Sequence, residues 1–206
     1  MTLTIFCDGS ALGNGKSGAV GAIGVWFGRD SPLNYSEAFA NTPALKVTNQ
    51  TMELMAATHG LRTAFELGLH RTSSAVRVYT DSAYTINCAT KWIRGWERNG
   101  WRSSKGEPVL NQELIRRLAK LTTQTGATFV HVRAHQKEPP RDSPDHALWE
   151  GNDAADRLAQ GASQELRQAR PRAAGAGGLA SPRLRSATRA SGRTNTDALM
   201  KMVQFL

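Results

Sequence analysis

Four acidic residues are spaced so that each lies on a different predicted element: Asp8, Glu53, Asp81 and Asp156. Carboxylates that converge repel one another unless cations hold them, and hard oxygen ligands favour Mg²⁺ or Mn²⁺. Two such ions suit phosphodiester hydrolysis, since one activates a water and the other neutralises the leaving oxygen. The alternative interpretation is that two aspartates merely terminate strands and that the helical carboxylates face solvent. Spacing alone leaves both interpretations open.

The elements that carry these residues follow from hydrophobic periodicity. Buried or alternating runs predict strands over 3–7, 20–27, 33–39, 75–80 and 128–132. Helical spacing predicts helices over 48–67, about 111–121 and 153–164, with short helices before Trp96. We expect an antiparallel meander from the first three strands, because their connections are short. The order predicts an α/β three-layer fold, with a five-stranded mixed sheet flanked by helices.

Length and composition limit the class of protein. The chain has 206 residues, of which 40% are hydrophobic, enough for one domain and a remainder at roughly 150 residues per domain. The two cysteines, Cys7 and Cys88, are too few for a disulfide framework. We find no apolar run long enough to span a bilayer and no secretory signal at Met1, and therefore expect a cytoplasmic protein.

The net charge of +9 is unevenly distributed along the chain. Residues 91–120 hold eight basic and three acidic side chains beside three tryptophans, and residues 166–206 hold eight basic and one acidic. Positive charge beside aromatic rings indicates a nucleic-acid partner. The last segment is rich in Ala, Gly, Arg, Ser and Pro, so we predict a catalytic domain over 1–165 and a basic, largely disordered tail over 166–206.

Over residues 2–164 the chain resembles type 1 ribonuclease H. Four stretches carry the resemblance: IFCDGS from Ile5, TNQTMEL from Thr48, YTDS from Tyr79 and GNDAADRLA from Gly151. The segment KWIRGWERNGW from Lys91 also looks like the basic protrusion of that family. The resemblance implies a ribonuclease H-like fold and an endonuclease that hydrolyses the RNA strand of RNA–DNA hybrids, leaving 5′-phosphate and 3′-hydroxyl ends.

The resemblance also assigns roles to residues. It makes Asp8, Glu53, Asp81 and Asp156 the catalytic, metal-binding carboxylates of a site with two Mg²⁺ ions, where Mn²⁺ is possible. Asp156 is chosen over Asp153 because the family's aspartate opens an Asp-x-Leu-Ala run. The positions that match RNA-strand contacts are Asn14, Asn49 and Gln50. Those that match DNA-strand contacts are Thr48, Tyr84, Trp92 and Asn111, with Lys46 as a weaker addition. We expect a monomer.

Two departures from the family pattern concern the site. The family's loop histidine, which assists proton transfer or product release, matches His135, but twenty residues separate it from Asp156, about twice the usual spacing. His146 lies nearer the final helix and is the alternative, although we favour His135. Thr51 stands where many relatives have arginine.

The sequence is compatible with three functions, two of them enzymatic and one of them binding alone. The first is a Mg²⁺-dependent ribonuclease H without marked base preference. The second is a hybrid-binding module that does not cleave, which the complete carboxylate set disfavours. The third is another nuclease on the same fold, such as a junction resolvase or an integrase-like enzyme. For the tail we expect either phosphate contacts that add affinity or binding to another partner, which the resemblance does not address.

Overall fold

A mixed sheet of five strands organises the computed structural model, which describes residues 1–170. The strands are β1 (Thr2–Leu12), β2 (Val20–Trp26), β3 (Tyr35–Ala40), β4 (Ala75–Thr80) and β5 (Thr128–His131). Their spatial order is β3-β2-β1-β4-β5. The first three pair antiparallel, as the short connections predict, whereas β4 and β5 add in parallel. This arrangement confirms the predicted fold class.

Helices cover both faces of the sheet. They are α1 (Asn49–Glu66), α2 (Leu69–Thr72), α3 (Ala83–Asn87), α4 (Ile93–Arg98), α5 (Gln112–Thr125) and α6 (His146–Ala169), with a π-helical turn at Cys88–Trp92 between α3 and α4. Helix α1 packs against β1 and β2, and α5 packs on α1. Helix α6 packs against β1, β2 and β3. No helix within residues 1–170 has the length and apolar character needed to cross a bilayer.

The parallel register of β1 and β4 places two aspartates at one edge of the sheet. The last paired residues of these strands are Phe6 and Tyr79. Asp8 and Asp81 each follow two residues later. Because parallel neighbours run in the same direction, equal offsets from one pair bring the two aspartates side by side.

Small residues let α6 approach the sheet closely. Gly151, Ala155, Ala159 and Ser163 recur every four residues along one buried face of the helix. Gly151 lies directly against the Phe6 ring, and Gly24 of β2 lies directly against the Ala155 backbone. Phe6 in turn stacks on Tyr79 with ring centroids 4.7 Å apart. The close approach fixes the height at which Asp156 stands above the sheet.

The boundaries of several elements differ from the sequence prediction. Strand β3 begins at Tyr35 instead of residue 33, and α5 continues to Thr125. Helix α6 begins at His146, seven residues before the predicted start, because the backbone N–H groups of His146 and Trp149 bond to the carbonyls of Ser143 and Asp145. It also runs through Ala169, so residues 166–169 are helical, which corrects the predicted boundary at 165. The rest of the predicted tail, 171–206, lies outside the described residues.

The contact between Gly24 and α6 generates a prediction. A methyl group in Gly24→Ala would overlap the Ala155 backbone, so α6 must shift, and we expect a loss of about 1–3 kcal/mol in the free energy of unfolding. Gly161→Ala is the matched control on α6, since a methyl there meets open space. It is expected to be neutral or stabilising by up to about 1 kcal/mol. Urea unfolding measures both, and equal effects would contradict the packing argument.

Candidate active site

Three carboxylates converge where β4 ends, beside the middle of β1. Asp8, Glu53 and Asp81 each offer an oxygen atom within 4.8 Å of the other two. Asp8 is buried, and the other two are half-buried. The three come from a strand, a helix and a loop, so their meeting is a product of the fold and not of local sequence.

Helix α1 brings Glu53 to the cluster through two local features. The Thr48 hydroxyl caps the helix by accepting from the Thr51 backbone N–H at 3.1 Å. Gly9 of β1 lies against the Glu53 backbone so closely that any side chain at position 9 would collide with it. The strand and the first turn of α1 are therefore in direct backbone contact, which explains the glycine next to Asp8.

Burial and mutual repulsion disfavour negative charge at this site. Burial raises the pKa of the Asp8 carboxyl to about 7, and the Asp81 and Asp156 carboxylates add to the rise. Burial likewise raises the pKa of Glu53 well above its ordinary value, with contributions from Asp8 and Asp81. Burial also raises the pKa of Asp81; the His135 ring opposes that rise, and Asp156 adds to it.

The fourth predicted carboxylate, Asp156, stands on α6 beside the cluster. It stands close enough to Asp8 and Asp81 to raise the pKa of both carboxyls. One of its oxygens accepts a hydrogen bond from the Gln160 amide, one helical turn further on, at 2.7 Å. Asp153, the alternative, pairs instead with the Arg157 guanidinium at 2.8 Å. The structure thus brings three of the predicted carboxylates into one cluster and places the fourth, Asp156, beside them.

The chemistry of this donor set fits divalent cations. Glu53 Oε2 is a buried oxygen without a hydrogen-bond partner among the described residues, and such an atom is costly unless something pairs with it. Hard oxygen ligands of this kind suit Mg²⁺ or Mn²⁺. The residues that would hold the ions are Asp8, Glu53 and Asp81, with Asp156 alongside.

The two candidate histidines lie in different surroundings. His135 acts electrostatically on Asp81 and shares with Asp156 the lining of an open cleft of about 410 Å³. His146, the first residue of α6, instead bonds to Glu138 at 3.4 Å and packs on the Trp149 ring. A third histidine, His131 at the end of β5, also reaches this region, since its Nε2 lies 3.1 Å from the Asp81 carbonyl oxygen.

The predicted RNA-strand residues line one open cavity beside the start of α1. Asn14, Asn49 and Gln50 all border this space of about 490 Å³. The Asn14 side-chain oxygen accepts from the Asn49 backbone N–H at 3.1 Å, which ties the β1–β2 loop to the helix. Lys46 and Thr48, predicted for the DNA strand, border the same cavity. Thr48 and Lys46 therefore lie beside the predicted RNA-strand residues, and Thr48 also reaches the other predicted DNA-strand residues through Thr51.

The remaining predicted DNA-strand residues form a connected row. The Thr51 hydroxyl contacts Thr48 Oγ1 at 2.8 Å and donates to Asn111 Oδ1 at 3.4 Å. The Asn111 amide donates to the Tyr84 hydroxyl at 3.5 Å. The Tyr84 ring meets the exposed Trp92 ring edge-on, with centroids 6.1 Å apart. Asn111 adopts a positive φ of 58° at the start of α5, a conformation that asparagine tolerates.

The tryptophans extend this row with increasing burial. Trp92 contacts Trp96 at 5.6 Å between centroids, and Trp96 contacts Trp101 at 6.0 Å. Trp101 is buried beneath the Arg116 guanidinium, which lies 4.1 Å from its ring centre. Trp92 is therefore the exposed end of a supported cluster.

Sequence reasoning missed two residues that hold the site together. Thr51 was noted only as a lost arginine, but its hydroxyl joins Thr48 to Asn111. Thr80 forms a side-chain hydrogen bond with Glu53, which lowers the pKa of Glu53 and opposes the effect of burial. Position 80 immediately precedes Asp81, and this adjacency was the available signal. For Thr51 the signal was its position three residues after the helix-capping residue Thr48, whose side chain bonds to it.

Comparison with known sequences gives consistent matches. The sequence model of the RNase H family matches residues 1–164. The chain is similar to ribonuclease H of Pelobacter propionicus, with 36% identity over 165 residues that cover 80% of this chain and 86% of the relative. It is also similar to ribonuclease H1 of Rattus norvegicus, with 34% identity over 164 residues, 79% of this chain and 51% of the relative. The chain thus spans about half the length of that mammalian relative.

Comparison with solved structures supports the same fold. The solution structure of the PFV RNase H domain matches with a TM-score of 0.57 and 23% identity, covering 79% of this chain and 94% of that one. The crystal structure of LC9-RNase H1, described as a type 1 RNase H with the type 2 active-site motif, matches with a TM-score of 0.54 and 22% identity. That match covers 80% of this chain and 72% of the other.

The raised pKa of Asp8 generates a prediction about stability in the absence of metal. Folding raises the pKa of this carboxyl from about 3.9 in the unfolded chain to about 7. Its contribution to stability is therefore complete at a pH below about 3.9 and is lost as the pH rises through about 7. Asp8→Asn removes the buried charge. In EDTA we expect it to raise the free energy of unfolding by about 1–3 kcal/mol at pH 8 and by little at pH 4.5.

Urea unfolding of both chains across this pH range tests the expectation. Asp30→Asn is the control, since Asp30 is exposed and asparagine tolerates its positive φ of 57°. Its effect should be small at every pH. A loss of stability in Asp8→Asn at pH 8 would contradict the argument.

Proposed function

The chain belongs to the RNase H family, and on that premise we propose that it is an endonuclease that hydrolyses the RNA strand of RNA–DNA hybrids and leaves 5′-phosphate and 3′-hydroxyl ends. The observation that carries the proposal is the convergence of Asp8, Glu53 and Asp81, with Asp156 beside them, at one edge of the sheet. A module that only binds nucleic acid has no need of four mutually repelling carboxylates.

Two Mg²⁺ ions are the proposed cofactors, with Mn²⁺ as a substitute. When bound, they would supply activation of a water and neutralisation of charge on the leaving oxygen. The protein's own contribution is to hold four carboxylate groups in place at a cost in folding energy. Glu53 Oε2 supports the assignment because it is buried and lacks a hydrogen-bond partner in the described part of the chain.

Recognition of the hybrid requires separate contacts to the RNA strand and to the DNA strand. Asn14, Asn49 and Gln50 present amide groups, which donate and accept hydrogen bonds and so suit the 2′-hydroxyls in the minor groove of an RNA strand. The DNA strand is proposed to lie along the row from Thr48 to Trp92. There the Trp92 ring packs on a deoxyribose, where a 2′-hydroxyl would clash, and Thr48 and Asn111 hold a phosphate with help from Lys46.

Proton transfer or product release is assigned to His135. Its interaction with Asp81 supports this choice, whereas the contacts of His146 with Glu138 and Trp149 give that ring a structural role. We further propose that the enzyme is a monomer that acts in the cytoplasm. The basic segment beyond residue 170 would add affinity for phosphates without base preference.

Cleavage of defined duplexes tests the function. Incubation of the full chain with labelled RNA–DNA hybrid, duplex DNA, duplex RNA and a four-way junction should give cleavage of the hybrid alone, because only the hybrid satisfies both strand contacts. EDTA should abolish cleavage. Asp81→Asn should lower the rate more than about 100-fold, since it removes a metal-binding oxygen, and Asp30→Asn should leave the rate unchanged.

Two other outcomes would each defeat the proposal. Tight binding of the hybrid without cleavage in Mg²⁺ or Mn²⁺ would identify a binding module. Cutting of duplex DNA or of the junction would identify another nuclease on this fold.

The histidine assignment gives a separate prediction. His135→Ala should lower kcat roughly tenfold or more with little change in KM, as expected for a lost proton carrier. His146→Ala should change kcat by less than about threefold. Steady-state kinetics on the hybrid measures both, and the reverse ranking would transfer the role to His146.

A further inference from the structure

The loop between β5 and α6 spans residues 132–145, carries His135 and contains three prolines. Within it, His135 adopts a positive φ of 48°. L-residues other than glycine rarely adopt this conformation, and it persists only where surrounding contacts enforce it. His135 itself is exposed, so contacts from its neighbours must hold the backbone there.

One such contact comes from Trp149 on α6. Its indole N–H donates to the backbone carbonyl of Gln136 at 2.9 Å. The Gln136 side-chain amide in turn donates to the Ala134 carbonyl at 3.0 Å. The two hydrogen bonds fix the residues on either side of His135. The His146 ring also supports the indole, on which it packs with ring centroids 5.6 Å apart.

Trp149 also has a fixed relation to the carboxylate cluster. It precedes Asp156 by seven residues on the same helix, which is two turns and about 10 Å on one helical face. Both residues line the cleft that His135 borders. A single rigid helix therefore holds Asp156 directly and the histidine loop through the indole.

We propose that Trp149 is a positioning residue that acts through Gln136 to place His135 beside Asp81. The inference rests on the proposed function and explains how His135 is presented to the site although its separation from Asp156 along the chain is about twice the usual spacing. The indole is half-buried and joins the loop by one hydrogen bond, so it contributes more to placement than to overall stability. A small displacement of a catalytic group costs up to about 100-fold in rate.

Trp149→Phe tests the inference because it removes the N–H donor and keeps an aromatic ring against His146. In the full chain with the hybrid and Mg²⁺, we expect kcat to fall about 5- to 20-fold, with KM within twofold of the wild-type value and an unchanged Tm. Gln164→Ala is the control, since it truncates an exposed side chain further along the same helix, away from the cleft. It should leave kcat unchanged.

A double-mutant cycle separates positioning from other effects. If Trp149 acts through His135, Trp149→Phe should cause no further loss in the His135→Ala background. An additive loss, a wild-type kcat in Trp149→Phe, or a decrease that follows Tm would each overturn the inference.

A measurement without substrate distinguishes this inference from the proposed function. In the metal-free chain, the ¹⁵N–¹H backbone signals of residues 134–138 should shift in Trp149→Phe and stay in place in Gln164→Ala. Unshifted loop signals would overturn the inference even if the hybrid is cleaved. Shifted signals in a chain that fails to cleave the hybrid would support the placement of the loop and defeat the proposed function.

Discussion

Repulsion among buried carboxylates is the constraint on which the rest of the structure depends. Folding moves Asp8, Glu53 and Asp81 out of water and against one another, and burial raises the pKa of each. Without compensation such a site destabilises the protein. The fold tolerates it because strong packing elsewhere supplies the stability, and a site that binds cations converts the repulsion into affinity. The cost of folding and the capacity for chemistry thus have one origin.

Close backbone packing is what makes this convergence possible. Gly9 brings the start of α1 onto β1, and Gly24 with Gly151 brings α6 onto the opposite face of the sheet. At these glycines the helix and the sheet touch without an intervening side chain on the glycine, close to Glu53 and Asp156. Asp8, Glu53 and Asp156 are therefore held on a strand and two closely packed helices, and Asp81 directly follows β4. Rigid elements place functional groups more accurately than loops do.

The surface around the site divides into two regions that meet at the beginning of α1. Asn14, Asn49 and Gln50 border an open cavity, while a row from Thr51 through Asn111 and Tyr84 leads to Trp92. Thr48 contacts both regions and also caps α1. Thr48 thus links the capping of α1, the placement of Glu53 and the two proposed strand-binding surfaces. A substitution at this residue would therefore alter all three.

The sequence by itself determined the fold class, the strand order along the chain and the family, and it predicted the three carboxylates that the fold clusters, because these depend on hydrophobic periodicity and on short motifs. It did not determine the start of α6. Hydrogen bonds to the preceding loop start this helix seven residues earlier than its periodicity indicated. The sequence favoured His135 over His146 without excluding the latter, because both follow β5 in the sequence; in the structure His146 begins α6 and pairs with Glu138, whereas His135 acts electrostatically on Asp81. Contacts such as Trp149 with Gln136, or Thr51 with Asn111, join residues by geometry that no local pattern encodes, so only the tertiary structure decided them.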